Sequence, residues 1–257
     1  MDLNFECTMC GKCCHDLKLP LSVSEALLWL ERGGDVQFLC EAVPWPEEPA
    51  EDNLLAQHKR RRSFAASSGA LPARIVVVIA AAFEGACPHL LPNLSCGVYE
   101  ERPTVCRIYP AEVNPFIELN TQQKACPPEA WAPDKPILMR AHRIVDVQTA
   151  ALIDKSRMAD AGDTGTKALA CAHLGIDTAA LANEGLTIYL PPRAQSVAAL
   201  KLARETGDTT GYVPDWKVAS NRQETVETLT SIGASSVFCT SLNAESFQYL
   251  GFFAESA

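Results

Sequence analysis

"CTMCGKCC" at residues 7–14 places four thiols in eight positions near the start of the chain. Cys7-x2-Cys10-Gly11 has the spacing of a metal-binding knuckle, in which a tight turn aims two sulfurs at one ion. A glycine directly after the second cysteine permits the positive φ that turns the following N–H groups toward the thiolates. Cys13 extends the run to Cys-x2-Cys-x2-Cys, the spacing that opens bacterial ferredoxin motifs, where a distant cysteine followed by proline supplies another ligand. Cys87-Pro88 and Cys126-Pro127 both offer such a partner. Adjacent side chains tend to point apart, so Cys13 and Cys14 are not expected to share one mononuclear ion. The spacing is compatible with two four-thiolate sites, one using most of the knuckle plus a remote cysteine and the other using Cys14 with the rest. It is equally compatible with a single cluster that uses four of the eight thiols.

Outward from this run, the remaining cysteines fall into a second group, Cys87, Cys96, Cys106 and Cys126, and three isolated residues, Cys40, Cys171 and Cys239. The isolated three read as small buried hydrophobes. The start "MDLNFECTMC" has neither the basic nor the apolar region of a signal peptide. The most apolar window, "ARIVVVIAAAF" at 73–83, is far shorter than the roughly 20 residues a membrane helix needs. The expectation is a cytoplasmic protein without membrane association, where disulfides rarely persist and eleven cysteines point to metal ligands. Apolar content of 47 % excludes wholesale disorder, and a net charge of −9 argues against nucleic acid as the main partner. The basic run "HKRRR" at 58–62 is read as a solvated loop.

Several elements can be placed. "SVSEALLWLERGG" opens with the capping box Ser22–Glu25 and closes on Gly33-Gly34, which predicts a helix. Residues 43–53, rich in proline and acid, predict a loop, and the β-branched run at 74–83 a buried strand. Residues 84–131 hold too many turn formers for a long element and too few apolar residues for a core of their own, so bound metal is expected to hold them together. Further helices are predicted at 144–159, 166–174, 195–206 and 222–233, with strands at 186–190 and 235–242. The expected class is α+β. A loop-rich, metal-stabilised cysteine-cluster domain spans 1–136, with an insertion at about 21–83. A carboxy-terminal α/β or mostly helical region of unknown role spans 137–257.

"CGVYEERPTVCRIYP" at 96–110, together with "CTMCGKCC" and "ACPHL", resembles the CxxCxxCC family of zinc- or iron-chelating proteins, the YkgJ-like cysteine-cluster proteins. The resemblance rests on Tyr99, Arg102, Pro103, Cys106, Arg107, Tyr109 and Pro110 beside the cysteines, and covers roughly 5–20 and 86–128. It implies a metal-chelating domain, often Fe–S-related, and no established reaction. Arg102-Pro103 looks like a helix start. The metal ligands expected are Cys7, Cys10, Cys13, Cys14, Cys87, Cys96, Cys106 and Cys126, with His15 and His89 as substitutes for a cysteine. The cofactor expected is zinc or an iron–sulfur cluster of the 4Fe–4S type. Lys12, Arg102, Arg107 and Lys124 are candidates to offset thiolate charge.

The functions compatible with these residues are a metal-binding protein with a redox, carrier or structural role, a zinc-stabilised adaptor for a protein partner, and a protein-modifying enzyme similar to flagellin lysine N-methylase. Against the enzyme, the chain has no G-x-G-x-x-G loop, and Leu17 stands where a radical-SAM spacing would need its third cysteine. "GDTGTK" at 162–167 is no P-loop, because its lysine lies one position too early. No Ser-His-Asp or paired-carboxylate motif supports hydrolysis.

Overall fold

The β-branched run forms the long strand around which the protein is built. The computed structural model describes residues 2–207, 209–239 and 246–254. In chain order these form β1 (Leu3–Asn4), β2 (Lys18–Leu21), α1 (Val23–Glu31), β3 (Val36–Pro44), α2 (Leu54–Arg61), β4 (Ser63–Ser68) and β5 (Leu71–Ala82). α3 (Thr104–Ile108), β6 (Ile137–Arg140), β7 (Arg143–Ile144), α4 (Val147–Gly162), α5 (Thr164–Leu174) and β8 (Thr178–Leu181) follow. The chain continues with β9 (Gly185–Tyr189), α6 (Arg193–Thr206), β10 (Lys217–Ser220), α7 (Gln223–Ser231), β11 (Ser236–Phe238) and β12 (Gln248–Gly251). The class is α+β, and among the described residues no helix is long and apolar enough to cross a membrane.

One mixed sheet carries the order β11-β10-β8-β3-β5-β2, with β4 also on β5, and β9 joining β3 to β12. β3 and β5 are antiparallel from Val36↔Ala81 to Pro44↔Ala73. The other edge of β3 is divided: Phe38 to Cys40 pair with β9, and Glu41 and Ala42 with β8. Strands from 36–82 are thus hydrogen-bonded directly to strands from 178–189 within one sheet. Period-two alternation sends Val36, Phe38, Cys40 and Ala42 to the same face as Ile75, Val77, Ile79 and Ala81. Ala26, Leu27 and Leu30 of α1, Ala170 and Cys171 of α5, and Leu200 and Ala203 of α6 cover that face and complete the main core.

Local expectations and outcomes can be compared directly. Ser22 caps α1 in a full capping box, and Gly33 takes φ +91° just past its end. The helices at α4, α5, α6 and α7 and the strand β9 lie where periodicity put them. The strand expected at 235–242 is Ser236–Phe238 in β11, and positions 240–242 lie outside the described residues. The 43–53 loop begins two residues late, because β3 runs to Pro44. The "HKRRR" run is not a loop. Its first four residues lie in α2, Arg62 is the C-cap, and Asn53 caps the amino end by accepting from Ala56 N. Three of its charges are paired, Lys59 with Glu41, Arg60 with Glu48 and Arg62 with Asp160, which a loop could not have organised.

Candidate metal centre

Residues 84–131 contain only α3 and three single 3₁₀ turns, and they are laid against the amino-terminal knuckle by a few backbone bonds. Cys87 N donates to Cys14 O at 2.8 Å, Asp16 N to Gly85 O at 2.9 Å, and Gly85 N to the Asp16 carboxylate at 2.6 Å. On the far side, Glu6 N donates to Ala130 O, the Phe5 ring packs at a tilt against Trp131 with centroids 4.9 Å apart, and β1 pairs with β6. Both cysteine groups are therefore drawn to one place from positions more than seventy residues apart. Gly11 has φ +69°, as its position after Cys10 requires, and a Cβ there would stand 3.0 Å from Leu94 O. That close approach of backbone to knuckle is available to glycine alone.

All eight grouped cysteines line a single cavity of about 440 Å³. Cys7 is exposed and the other seven are half-buried, whereas Cys40, Cys171 and Cys239 are buried elsewhere, in keeping with their reading as packing residues. His15 and His89 line the same cavity. Nδ1 of His15 lies 3.2 Å from Gly11 O, and the His89 ring packs edge-on against Trp29. The thiols are gathered but not closed. Among the described residues no group of three or more His, Cys, Asp or Glu side chains is arranged as a ready-made ion site.

The electrostatics sort the thiols. The Cys13 thiol is pulled down by a hydrogen bond from Cys14, against burial and the charges of Cys126, Cys7 and Cys10. Burial raises Cys126, with Cys10 and Cys7 adding to the rise. Cys106 is pushed up to about 12, first by burial and then by Cys14, Cys87 and Cys96. Burial also raises Cys87, and the nearby thiols of Cys14 and Cys96 add to the rise. Two neighbourhoods result, Cys7, Cys10, Cys13 and Cys126 in one and Cys14, Cys87, Cys96 and Cys106 in the other. Cys13 and Cys14, neighbours in sequence, influence each other across the boundary between the two.

Positive charge is placed accordingly. The Arg102 guanidinium lies 3.7 Å over the Tyr99 ring and offsets a small part of the rise of both Cys14 and Cys106. Its Nε is buried without a hydrogen-bond partner among the described residues. A buried donor left open beside four thiols fits a negatively charged metal–thiolate group. Lys12 and Arg107 also line the cavity. Lys124 stands outside it, bonded to Glu112 at 2.5 Å and 5.3 Å over the Tyr109 ring, and offsets a small part of the rise of Cys126.

Two residues have a part in the frame beyond what their local motifs announce. Glu25, besides closing the box of α1, accepts from Thr104 N at 2.7 Å and so caps α3, the helix of Cys106. Tyr109 accepts from Ala125 N at 3.0 Å beside Cys126. No local pattern could have announced a carboxylate that also serves a helix start 79 positions away.

Neither a curated protein nor a solved structure matches the chain. A family model, CxxCxxCC, described as a "putative zinc- or iron-chelating domain", matches residues 6–127, which include all eight clustered cysteines. Residues 6–127 of this chain therefore match the model of the CxxCxxCC family, and the cysteine cavity lies within the matched segment.

Proposed function

We propose that the protein binds zinc or iron through two four-thiolate sets, Cys7, Cys10, Cys13 and Cys126 in one and Cys14, Cys87, Cys96 and Cys106 in the other. The observation that carries this reading is the convergence of all eight grouped thiols on one cavity, and the mutual influence of those thiols supports a division into four and four. Four thiolates suit tetrahedral zinc and iron–sulfur clusters alike. When bound, the metal supplies a cross-link between chain segments and, if it is iron, a one-electron redox couple. The chain's own residues present the donors, offset their charge through Arg102 and Lys124, and hold Cys106 on a helix capped by Glu25. Metal coordination would also add to the small apolar cluster and the few backbone bonds that hold residues 84–131, which favours a structural role for at least one set.

The test is elemental analysis with a visible spectrum on protein purified without oxygen, in the wild type, Cys10→Ser and Cys96→Ser. The wild type should contain iron or zinc, and each substitution should remove the metal of its own set, about half the total. A broad visible band that bleaches on reduction identifies Fe–S, and a colourless protein with stoichiometric zinc identifies zinc. Metal-free wild type, or full metal content in both variants, would overturn the assignment.

A further inference from the structure

A second cavity, about 870 Å³, opens beside the cysteine cavity, and Val105 and Tyr109 form part of the wall of both. Its character differs. Arg61, Arg62, Lys124, Lys155, Arg157 and Lys167 line it against Glu25, Glu112, Asp160 and Asp163, an excess of two positive charges in a chain of net charge −9.

The basic groups are placed there by helical geometry. In α2, His58, Arg61 and Arg62 recur at i, i+3 and i+4 and share one face, while Lys59 and Arg60 turn away to Glu41 and Glu48. Arg157 of α4 is fixed by donating Nε to Val113 O at 2.9 Å. The carboxylates that line the cavity are committed, and Arg157 has beside it only the exposed Asp154 of its own helix, at 4.0 Å. Glu25 accepts from Ser22 N and Thr104 N, Asp163 accepts from Val23 N at 2.7 Å, and Glu112 holds Lys124. Asp160 serves both Lys167 and Arg62. Burial and the charges of Arg62 and Arg157 hold the His58 imidazole below its ordinary range. Its Nε2 is buried without a hydrogen-bond partner among the described residues. Like charges crowded around an unpartnered donor or acceptor, in a cavity of ligand size, describe a site that lacks its counter-anion.

We propose that this cleft binds a small molecule bearing a phosphate or carboxylate group, received by Arg61, Arg62 and Arg157 around His58. Guanidinium forks match both oxyanions bidentately. A concave site on a chain of net negative charge favours a small anion over a nucleic acid. The ligand would lie across Tyr109 from the cysteines, close enough for occupancy of one cavity to be felt in the other.

The test uses the full-length protein with its metal content measured in every sample. Inorganic phosphate and succinate, both weak chelators, are titrated by calorimetry at chloride-balanced ionic strength. Saturable binding of at least one is expected, and the stronger of the two identifies the oxyanion. Arg61 and Lys155 are exposed, and neither holds a buried ion pair, so R61E/K155E should fold normally and bind at least about tenfold more weakly. R204E, an equal kind of charge reversal on the exposed side of α6, should bind as the wild type does. Three results would overturn the proposal: no saturable binding of either anion, equal weakening by R204E, or a single-stranded oligonucleotide that binds more tightly and is lost in R61E/K155E.

Discussion

Lys167 is 2 % exposed, and its ammonium rests on Asp160 at 2.6 Å while Arg62 bonds the other carboxylate oxygen at 2.5 Å. Burial alone would raise the Asp160 carboxyl, but Lys167 and Arg62 outweigh it and hold it below the usual aspartate range. A carboxyl depressed in the folded state adds stability that is fully present above its unfolded value of about 4 and drains away as pH falls through the folded value. Asp160→Asn should therefore lower stability at pH 7 by about 3 kcal/mol, because it leaves a buried ammonium without its counter-charge. The difference from wild type should shrink as the pH falls below about 4, and urea titrations at both pH values measure it. A different outcome is expected at Cys171, fully buried in the main core with Cys40. Cys171→Ala should cost about 1 kcal/mol and leave metal content unchanged, whereas metal loss would undo the division between packing and cavity cysteines. The chemistry of the cysteines was legible because spacing and glycine placement are local. The Lys167–Asp160–Arg62 triad was not, because Arg62 lies 98 residues from Asp160 and nothing in either neighbourhood names the other.

Elements were legible where they carry their own start and stop signals. α1 announces itself through Ser22, Glu25 and Gly33, and β5 through an unbroken β-branched run. β8 (TAAL) and β10 (KVAS) have too few β-branched residues to be called strands alone, and they are strands because parallel neighbours pair with them. In α2 the charge run hid a helix whose cap, Asn53, was the readable clue. Glu25 shows what an element boundary can do beyond its own helix. Glu25→Ala removes the acceptor for Ser22 N and Thr104 N together and should lower stability by about 2 kcal/mol. It should also quicken metal release to a chelator, since α3 carries Cys106. Glu25→Gln, which keeps one carbonyl acceptor, should fall between the two in melting temperature and release rate. Melting changes without faster release would mean that the cap of α3 does not govern its cysteine.

At the scale of the whole molecule, two kinds of cohesion meet at one boundary. The sheet is held by a continuous apolar core that runs from Leu19 through Ile79 and Cys171 to Leu229, and nothing in it requires metal. The 84–131 segment touches that core through Cys87, Val105 and Cys106, packs Ile108 and Ala111 against Ile153 of α4 in a small apolar cluster, and outside α3 consists of turns. Its folding free energy is expected to come largely from coordination, as in other small metal sites. Chelation under reducing conditions should therefore not melt the protein as one unit. Hydrogen exchange should quicken by at least about tenfold in amides of 84–131 and of the knuckle at 7–14, a local loss of about 1.4 kcal/mol or more. Amides of β3 and β5 should keep their protection, and proteolysis of the stripped protein should cut first within 84–131. Uniform quickening would show that the sheet depends on the metal as well. Unchanged exchange in 84–131 would show that turns and backbone bonds alone hold the two cysteine groups together, and the metal would then add chemistry without adding structure.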